Sequence, residues 1–136
     1  MFITKETDYA LRILRALATG ERITATELAQ GEQIPQQFAY KILKKLQKGG
    51  IIRILRGADG GCVLATGLEQ VPLSRLMKIM EEDSSISPCM KPGYQCLWCK
   101  AHGDTSCRAH IHLASIQKRL DDELEAHNLQ EILFGE

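Results

Sequence analysis

The sequence predicts a mainly α-helical protein with one short β-hairpin, and three observations support this prediction. Apolar residues recur every three or four positions in several separate stretches, which is typical of amphipathic helices. Two short β-branched runs flank a glycine-dense connection at residues 56–61, which is typical of a hairpin. The 136 residues are enough for one compact core with an appendage, rather than for two independent domains.

The first three predicted elements are helices joined by short turns. Helical spacing marks residues 5–18, with Thr4 as the cap, and a second short helix opens at Thr24 or Ala25. Pro35 sets the first turn of a third helix over residues 36–48. Because a short turn containing Gly31 joins the second helix to the third, the pair indicates a helix-turn-helix. The inward stripe predicted for the third helix consists of Phe38, Ala39, Ile42, Leu43 and Leu46.

The predicted hairpin directly follows the third helix, which ends at Gly49 and Gly50. Its strands fall at residues 51–55 and 62–64. A hairpin in this position is a wing, so residues 1–66 are predicted to form a winged helix-turn-helix domain. Within the second strand, Cys62 is expected to be a small buried apolar side chain.

Residues 67–136 are predicted to hold a cysteine-bearing loop and a long C-terminal dimerisation helix. A helix over residues 72–82 precedes the loop at residues 83–103, and Asp104 or Thr105 caps the long helix, which runs to about Glu125. Asn128 is expected to cap a last short helix. Since the small N-terminal domain offers little surface to so long an apolar stripe, we expect a homodimer. The stripe consists of Ala109, Leu113, Ile116, Leu120 and Leu124.

Charge is balanced overall but unevenly distributed. The chain has 17 basic and 17 acidic side chains, yet residues 36–58 hold six basic residues and no acidic one. A local basic face on a neutral protein suits contact with nucleic-acid phosphates, because distant charges are screened. No apolar run is long enough to cross a membrane, and charged residues near the N-terminus argue against a signal peptide, so we expect a cytoplasmic protein.

The third helix and the wing carry side chains suited to DNA contact. Gln36, Gln37 and Tyr40 lie off the apolar stripe near the helix N-terminus, where recognition helices reach base edges. At the wing tip, Arg56-Gly57 is placed to enter a minor groove. The alternative is a merely solvated helix face. The basic side chains expected to hold phosphates are Lys41, Lys44, Lys45, Lys48, Arg53 and Arg56.

Four cysteines and a histidine crowd into one short stretch, Cys89, Cys96, Cys99, Cys107 and His110. In a reducing compartment such a cluster favours a metal site over disulfides. Structural zinc usually takes two close cysteine pairs, and only one pair is present, so an iron–sulfur cluster is favoured over zinc. Thiols that react with oxidants directly are a third possibility. No residue set resembles a catalytic site, so no enzyme is predicted; an iron–sulfur electron carrier or redox enzyme is the alternative from another class.

These residues together resemble the bacterial winged-helix iron–sulfur transcription regulators of the IscR, NsrR and RirA type, over essentially the whole chain. The resemblance implies a homodimeric regulator, expected to be a repressor, that binds a double-stranded DNA operator of partly palindromic sequence. It also implies a 2Fe–2S or 4Fe–4S cluster that controls operator affinity in response to redox state, nitric oxide or iron. The matching segments are the run from Thr7 to Arg12, Ile34-Pro35 with Phe38, Ile42-Leu43, Arg56-Gly57 with Gly60-Gly61, the cysteine loop and the long helix.

The resemblance further implies a ligand set. Cys89 and Cys107 match the outer two of three loop cysteines, and either Cys96 or Cys99 corresponds to the middle one. NsrR-like members use an aspartate from the first helix of the partner subunit, which Asp8 matches. IscR-like members use a histidine, which His110 matches, and an all-cysteine site is a further alternative. Within the same class, the alternative is a cluster-free winged-helix repressor that senses thiol chemistry or a metabolite.

Overall fold

A computed structural model describes residues 3–58, 60–103 and 106–135, and it confirms a mainly helical fold with one small sheet. The strands β1 (Ile52–Leu55) and β2 (Gly61–Leu64) lie between the third and fourth helices, and two short 3-10 helices cover Leu68–Gln70 and Pro88–Met90. The α-helices in the described part of the chain are, in order, α1 (Lys5–Leu17), α2 (Ala25–Gly31), α3 (Gln36–Lys48), α4 (Leu73–Ile79), α5 (Leu97–Ala101), α6 (Arg108–Ala126) and α7 (Leu129–Phe134).

Helices α1, α2 and α3 form the predicted helix-turn-helix unit. The cap of α2 is reciprocal: the Thr24 hydroxyl accepts a hydrogen bond from the Glu27 N–H at 3.1 Å and donates to the Glu27 carboxylate at 2.9 Å. The turn before α3 is closed by the Ile34 N–H, which donates to the Ala29 carbonyl at 2.8 Å. The second and third helices are thereby held at a fixed angle to each other.

One prediction within this unit is wrong, and a second is confirmed in position but not in bonding. Phe38 does not belong to the inward stripe of α3: the residue is 36% exposed, and its ring lies 6.4 Å from that of Tyr9. Thr4 occupies the cap position of α1 but makes no capping bond, because its hydroxyl donates to the Glu82 carboxylate at 2.9 Å. A helical period identifies the centre of a buried face, whereas neighbouring elements decide whether a residue at its edge is covered.

The wing is an antiparallel pair in which Ile52 faces Leu64 and Leu55 faces Gly61. Its second strand is also tied to the segment before α2, since the Cys62 N–H donates to the Ile23 carbonyl at 2.7 Å. Gly61 is required at this contact: its φ is 147°, and an added Cβ would lie 2.7 Å from Cγ of Arg22. Cys62 is 1% exposed, which confirms its prediction as a buried side chain.

The C-terminal part departs from the predicted boundaries. Helix α4 ends at Ile79 rather than at residue 82, and the stretch predicted as an open loop, residues 83–103, contains a 3-10 helix and α5. Helix α6 begins at Arg108 with Cys107 in the cap position. Asp104 and Thr105, the predicted caps, lie outside the described residues. The Asn128 cap is confirmed, as its side chain accepts a hydrogen bond from the Glu131 N–H at 2.8 Å.

Residues from both predicted segments pack into one hydrophobic core. Leu129 of α7 is fully buried, and its N–H donates to the Val71 carbonyl at 2.8 Å. The Leu73 N–H donates to the His127 carbonyl at 2.8 Å, and this bond holds the segment before α7 beside the start of α4. The C-terminal contributors to the core are Leu68, Val71, Leu76, Met80 and Leu129, alongside buried residues of α1, α2 and α3.

Helix α6 is different, because none of its residues is buried within the single chain. Within the predicted stripe, Leu113, Leu120 and Leu124 are half-buried and Ile116 is 49% exposed, whereas Ile111, which is 58% exposed, lies on another side of the helix. An apolar stripe left this open is typical of a surface that packs against another molecule. None of the helices in the described ranges combines the length and the apolar character that crossing a bilayer requires.

Replacing Leu129 tests whether the chain end stabilises the whole molecule. The change Leu129→Ala removes a fully buried side chain from the shared core, so we expect the free energy of unfolding to fall by about 2–5 kcal/mol in urea denaturation. Ile132→Ala, on the exposed side of the same short helix, is the matched control and is expected to cost less than about 1 kcal/mol. Equal effects of the two changes would contradict a shared core.

Candidate nucleic-acid interface and cysteine pocket

A groove of about 620 Å³ separates α3 from the wing. Lys44 and Lys48 project from the helix side, and Arg56 projects from the wing side. A basic channel between a recognition-type helix and a hairpin suits the phosphate backbone of a duplex. The residues that line the groove are Thr24, Ala25, Tyr40, Leu43, Lys44, Gln47, Lys48, Ile54, Leu55, Arg56, Gly61 and Cys62.

The N-terminal end of α3 presents a connected set of polar side chains. The Gln36 amide donates to the Tyr40 hydroxyl at 3.1 Å and to the Thr26 hydroxyl at 3.2 Å. Gln37 is exposed beside them. Thr26 lies on α2 and was missed by sequence reasoning, because its proximity to Gln36 depends on how α2 packs on α3. These side chains are held in position and remain open to solvent, which suits contact with base edges.

The lysines of α3 divide into two groups. Lys44 and Lys48 face the groove, whereas Lys41 and Lys45 are ion-paired with Glu6 of α1, at 3.1 Å and 3.6 Å. The hydrogen bond and charge of Lys41 hold the pKa of the Glu6 carboxyl below its usual value. Sequence reasoning missed Glu6, because no local pattern indicates that a residue 35 positions away faces Lys41.

The remaining predicted DNA-contact residues lie on the wing. Arg53 is exposed on β1, and Arg56 and Gly57 are exposed after the end of that strand. Gly57 adopts a φ of 100°, a conformation that other residues rarely take, so the backbone turns sharply at the wing tip. Asp59, the acidic neighbour within this turn, lies outside the described residues.

All four clustered cysteines and His110 line a single pocket of about 500 Å³. The four cysteines are half-buried, and His110 is exposed. Apolar groups from the N-terminal part of α6 form one wall. The complete lining consists of Pro88, Cys89, Tyr94, Cys96, Cys99, Ser106, Cys107, Ala109, His110, Ile111 and Leu113.

Each cysteine is positioned by a short structural element. Cys89 lies in a 3-10 helix, with its sulfur 3.0 Å from the Ser87 hydroxyl. Cys96 precedes α5, and Cys99 lies within it. The Cys99 N–H hydrogen-bonds to the Cys96 sulfur and lowers the pKa of the Cys96 thiol, which favours its thiolate form. Cys107 occupies the N-cap position of α6 without a side-chain capping bond, and His110 follows in the first turn.

This donor set fits an iron–sulfur group in kind, because soft thiolate sulfurs surround one pocket. Among residues 3–58, 60–103 and 106–135, no three His, Cys, Asp or Glu side chains are grouped so that they could hold a metal ion. The thiols therefore surround the pocket without converging on one point. Asp8 does not line this pocket: it lies on α1, half-exposed, with its carboxylate 2.9 Å from the Arg12 guanidinium.

The fold and the basic groove together define a winged-helix DNA-binding protein. Residues 3–134 match the Rrf2 family, which is described as an iron-dependent transcriptional regulator. The chain belongs to this family. It is therefore a transcriptional regulator and not an enzyme, and membership implies binding to DNA.

Individual relatives agree with this assignment. An rrf2-like HTH-type transcriptional regulator of Rhodobacter capsulatus is 32% identical over 122 residues, which cover 84% of this chain and 80% of that protein. The regulator NsrR of Geobacillus kaustophilus is 28% identical over 137 residues, covering 98% of this chain and 90% of that protein. A match to protein aau3 of Rhizobium meliloti, 30% identical, spans 68% of this chain and 62% of that protein's length.

A solved structure supports the fold. CymR (YrzC), described as the global cysteine regulator of B. subtilis, superposes with a TM-score of 0.76. The comparison covers 100% of this chain and 98% of CymR at 17% sequence identity. At this level of identity the likeness establishes a common fold and says nothing about shared ligands.

The burial of Cys62 can be tested by chemical labelling. Burial raises the pKa of the Cys62 thiol and shields it, so in folded, metal-free protein iodoacetamide should label Cys62 last of the five cysteines. The labelled sites are identified by mass spectrometry after digestion. Labelling in denaturant is the control and should reach all five positions. Reaction of Cys62 as fast as the half-buried Cys89 in folded protein would show that the groove floor is open.

Proposed function

We propose that this Rrf2-family regulator is a cytoplasmic homodimeric repressor whose affinity for its operator is controlled by an iron–sulfur cluster. The observation that carries the proposal is the single pocket shared by Cys89, Cys96, Cys99, Cys107 and His110 at the start of α6. That pocket connects the cysteine loop to α6, whose apolar stripe is not buried within the chain. A ligand held there would connect two elements that a dimer depends on.

We assign DNA recognition to α3 and the wing. Gln36, Gln37 and Tyr40 are proposed to contact base edges, since they are exposed at the N-terminal end of α3. Lys44, Lys48 and Arg56 are proposed to hold phosphates from either side of the groove. Lys41, Lys45, Arg53 and Gly57 extend this surface. Two copies of α3 in a dimer would require half-sites about one helical turn apart, or a multiple of it.

Dimerisation is assigned to α6. Its apolar stripe includes Leu113, Ile116 and Leu120, which share one face of a helix of 19 residues that buries no side chain within its own chain. Packing two such helices against each other removes this apolar surface from water. The start of α6 also lines the cysteine pocket, so a change at the pocket acts directly on the proposed dimer helix.

The pocket residues are proposed to hold a 2Fe–2S or 4Fe–4S cluster, which supplies a centre sensitive to oxidants, nitric oxide and iron supply when it is bound. Cys89 and Cys107 are the proposed outer ligands, with Cys96 or Cys99 between them. The fourth position goes to His110 of the same chain, to the remaining cysteine, or to Asp8 of the partner subunit. Convergence of these thiolates would order residues 83–103, and their release would free that segment and alter the spacing of the two copies of α3.

A cluster-free repressor that senses thiol chemistry is the second candidate. Two observations favour it: the four thiols are half-buried rather than enclosed, and the described residues show no convergent group of three ligands. The thiolate of Cys96 is stabilised by a backbone N–H, as suits a thiol that reacts with oxidants. Iron and sulfide content after anaerobic purification decides between the two candidates.

The first test concerns the phosphate contacts. Lys44→Ala removes one cation from the groove wall, so the slope of log K for duplex binding against log salt concentration should become shallower by roughly one unit. Fluorescence anisotropy titrations at several salt concentrations measure this slope. Lys118→Ala, which removes an exposed lysine of α6, is the matched control and should leave the slope unchanged. An unchanged slope for Lys44→Ala would remove this residue from the interface.

The second test concerns the ligands. Anaerobically purified wild type should contain iron and sulfide, and both should be lost in Cys89→Ala and Cys107→Ala because each removes an outer thiolate. Cys62→Ala removes a buried thiol outside the pocket and should retain both. Comparing Cys96→Ala with Cys99→Ala, and Asp8→Ala with His110→Ala, identifies the remaining ligands. Full iron content in Cys107→Ala would contradict the cluster, and equal operator affinity of loaded and chelator-stripped dimers would contradict its regulatory role.

A further inference from the structure

Two lysines of α3 are paired with acidic side chains from other parts of the chain. The Lys41 ammonium lies 3.1 Å from the Glu6 carboxylate, and Lys45 lies 3.6 Å from both the Glu6 and the Glu81 carboxylates. Lys45 therefore bridges two glutamates that come from α1 and from the residues after α4. We call Glu6 and Glu81 together the acidic clasp.

The clasp occupies positions that DNA phosphates would otherwise take. Lys41 and Lys45 are one helical turn apart, on the flank of α3 that faces α1, and Lys44 beside them faces the groove. A carboxylate and a phosphate oxygen make the same charge-assisted hydrogen bonds to an ammonium group. A duplex that approaches this flank of α3 must therefore compete with Glu6 for both lysines.

The same clasp is continuous with the start of the cysteine loop. Glu82, next to Glu81, accepts hydrogen bonds from the Thr4 N–H at 2.8 Å and the Thr4 hydroxyl at 2.9 Å, at the beginning of α1. Two residues further on, Gln117 of α6 donates to the Ser84 carbonyl at 2.9 Å and accepts from the Ile86 N–H at 2.8 Å. Residues 81–86 thus contact α1, α3 and α6 within six positions.

Glu81 itself has a backbone conformation that depends on its surroundings. Its φ is 61°, in the left-handed region that residues other than glycine rarely adopt. The Glu82 N–H donates to the Met77 carbonyl at 2.8 Å, which ends α4 and directs the chain toward α1. The Glu81 side chain therefore points toward Lys45 because of how α4 terminates. A movement of residues 83–103 would change the conformation of this turn and with it the position of Glu81.

We propose that the acidic clasp competes with DNA phosphate for Lys41 and Lys45, and so lowers the DNA affinity of α3 until residues 81–86 move or a duplex displaces it. This inference rests on the proposed assignment of α3 to DNA. Glu6 and Glu81 are positioning residues that act through the lysines and do not contact DNA. Because Glu81 belongs to the segment that leads into the cysteine pocket, the clasp gives that pocket a route to the recognition helix.

The expected size of the effect is modest. Ion pairs between partly exposed side chains are weak, and salt screens them, so the clasp reduces affinity without abolishing binding. Removing the Glu6 carboxylate should raise duplex affinity roughly three- to tenfold at low salt, with a smaller gain near 0.5 M salt. Of the two lysines, Glu81 is paired with Lys45 and not with Lys41 in the described structure, and its side chain is 80% exposed, so its removal should raise affinity by a smaller factor.

The test uses the full-length, metal-free protein and a labelled duplex of mixed sequence, about 30 base pairs or roughly three helical turns long. Phosphate contacts are independent of sequence, so no operator is needed. Anisotropy titrations compare wild type with Glu6→Gln and Glu81→Gln. Glu21→Gln is the matched control, because it removes one negative charge from an exposed position of the same domain outside the clasp. We expect Glu6→Gln to bind more tightly than Glu21→Gln.

A double-variant comparison separates the clasp from a general change in charge. In a protein that already carries Lys41→Gln and Lys45→Gln, adding Glu6→Gln should change affinity no more than adding Glu21→Gln does. An equal gain from Glu6→Gln in both backgrounds overturns the clasp, as does a gain no larger than that of Glu21→Gln. If instead wild type shows no salt-dependent duplex binding at all, the assignment of α3 to DNA fails and the clasp fails with it. Wild-type binding with no effect of Glu6→Gln defeats the clasp alone.

Discussion

The return of the chain end to the hydrophobic core is the constraint on which the rest of the structure depends. Leu129 is buried beside Val71, and paired backbone hydrogen bonds join residues 71–73 to residues 127–129. After α4 the chain therefore leaves the core, runs through the cysteine loop and α6, and returns to the core at Leu129. Because both ends of this segment are fixed, its cysteine loop starts and finishes beside the winged helix, and the hydrogen bonds of Thr4 to Glu82 hold the start of the loop at the beginning of α1.

Because the chain returns to the core in this way, the groove, the apolar stripe of α6 and the cysteine pocket lie in one compact unit. Helix α3 and the wing form the basic groove proposed to face DNA, α6 carries the exposed apolar stripe, and the cysteine pocket lies where the loop meets the start of α6. At the start of the loop, Gln117 of α6 hydrogen-bonds to the backbone of Ser84 and Ile86, and the neighbouring Glu82 accepts a hydrogen bond from Thr4. The proposed coupling between the loop and α3 therefore has short, direct contacts to act through, with no need for a long-range pathway.

Much of this could be predicted from local patterns. The boundaries of α1, α2 and α3, the wing hairpin, the buried Cys62 and the Asn128 cap follow from periodicity, turn residues and capping chemistry, all of which act over a few residues. The prediction for Phe38 was wrong because coverage of a helix edge depends on what packs beside it. Helix α5 was missed because a five-residue helix next to cysteines and glycines has too little periodicity to detect.

By itself the sequence determined the class of fold, the basic character of residues 36–58 and the types of donor available for a cluster, since composition and spacing are local properties. The tertiary structure alone decided that five separate donors line one pocket and that Lys41 and Lys45 face Glu6 while Lys44 and Lys48 face the groove. The ion pairs of these lysines with Glu6 and Glu81 join residues 35 or more positions apart. Packing of the core sets them, and no short-range pattern in the chain encodes them.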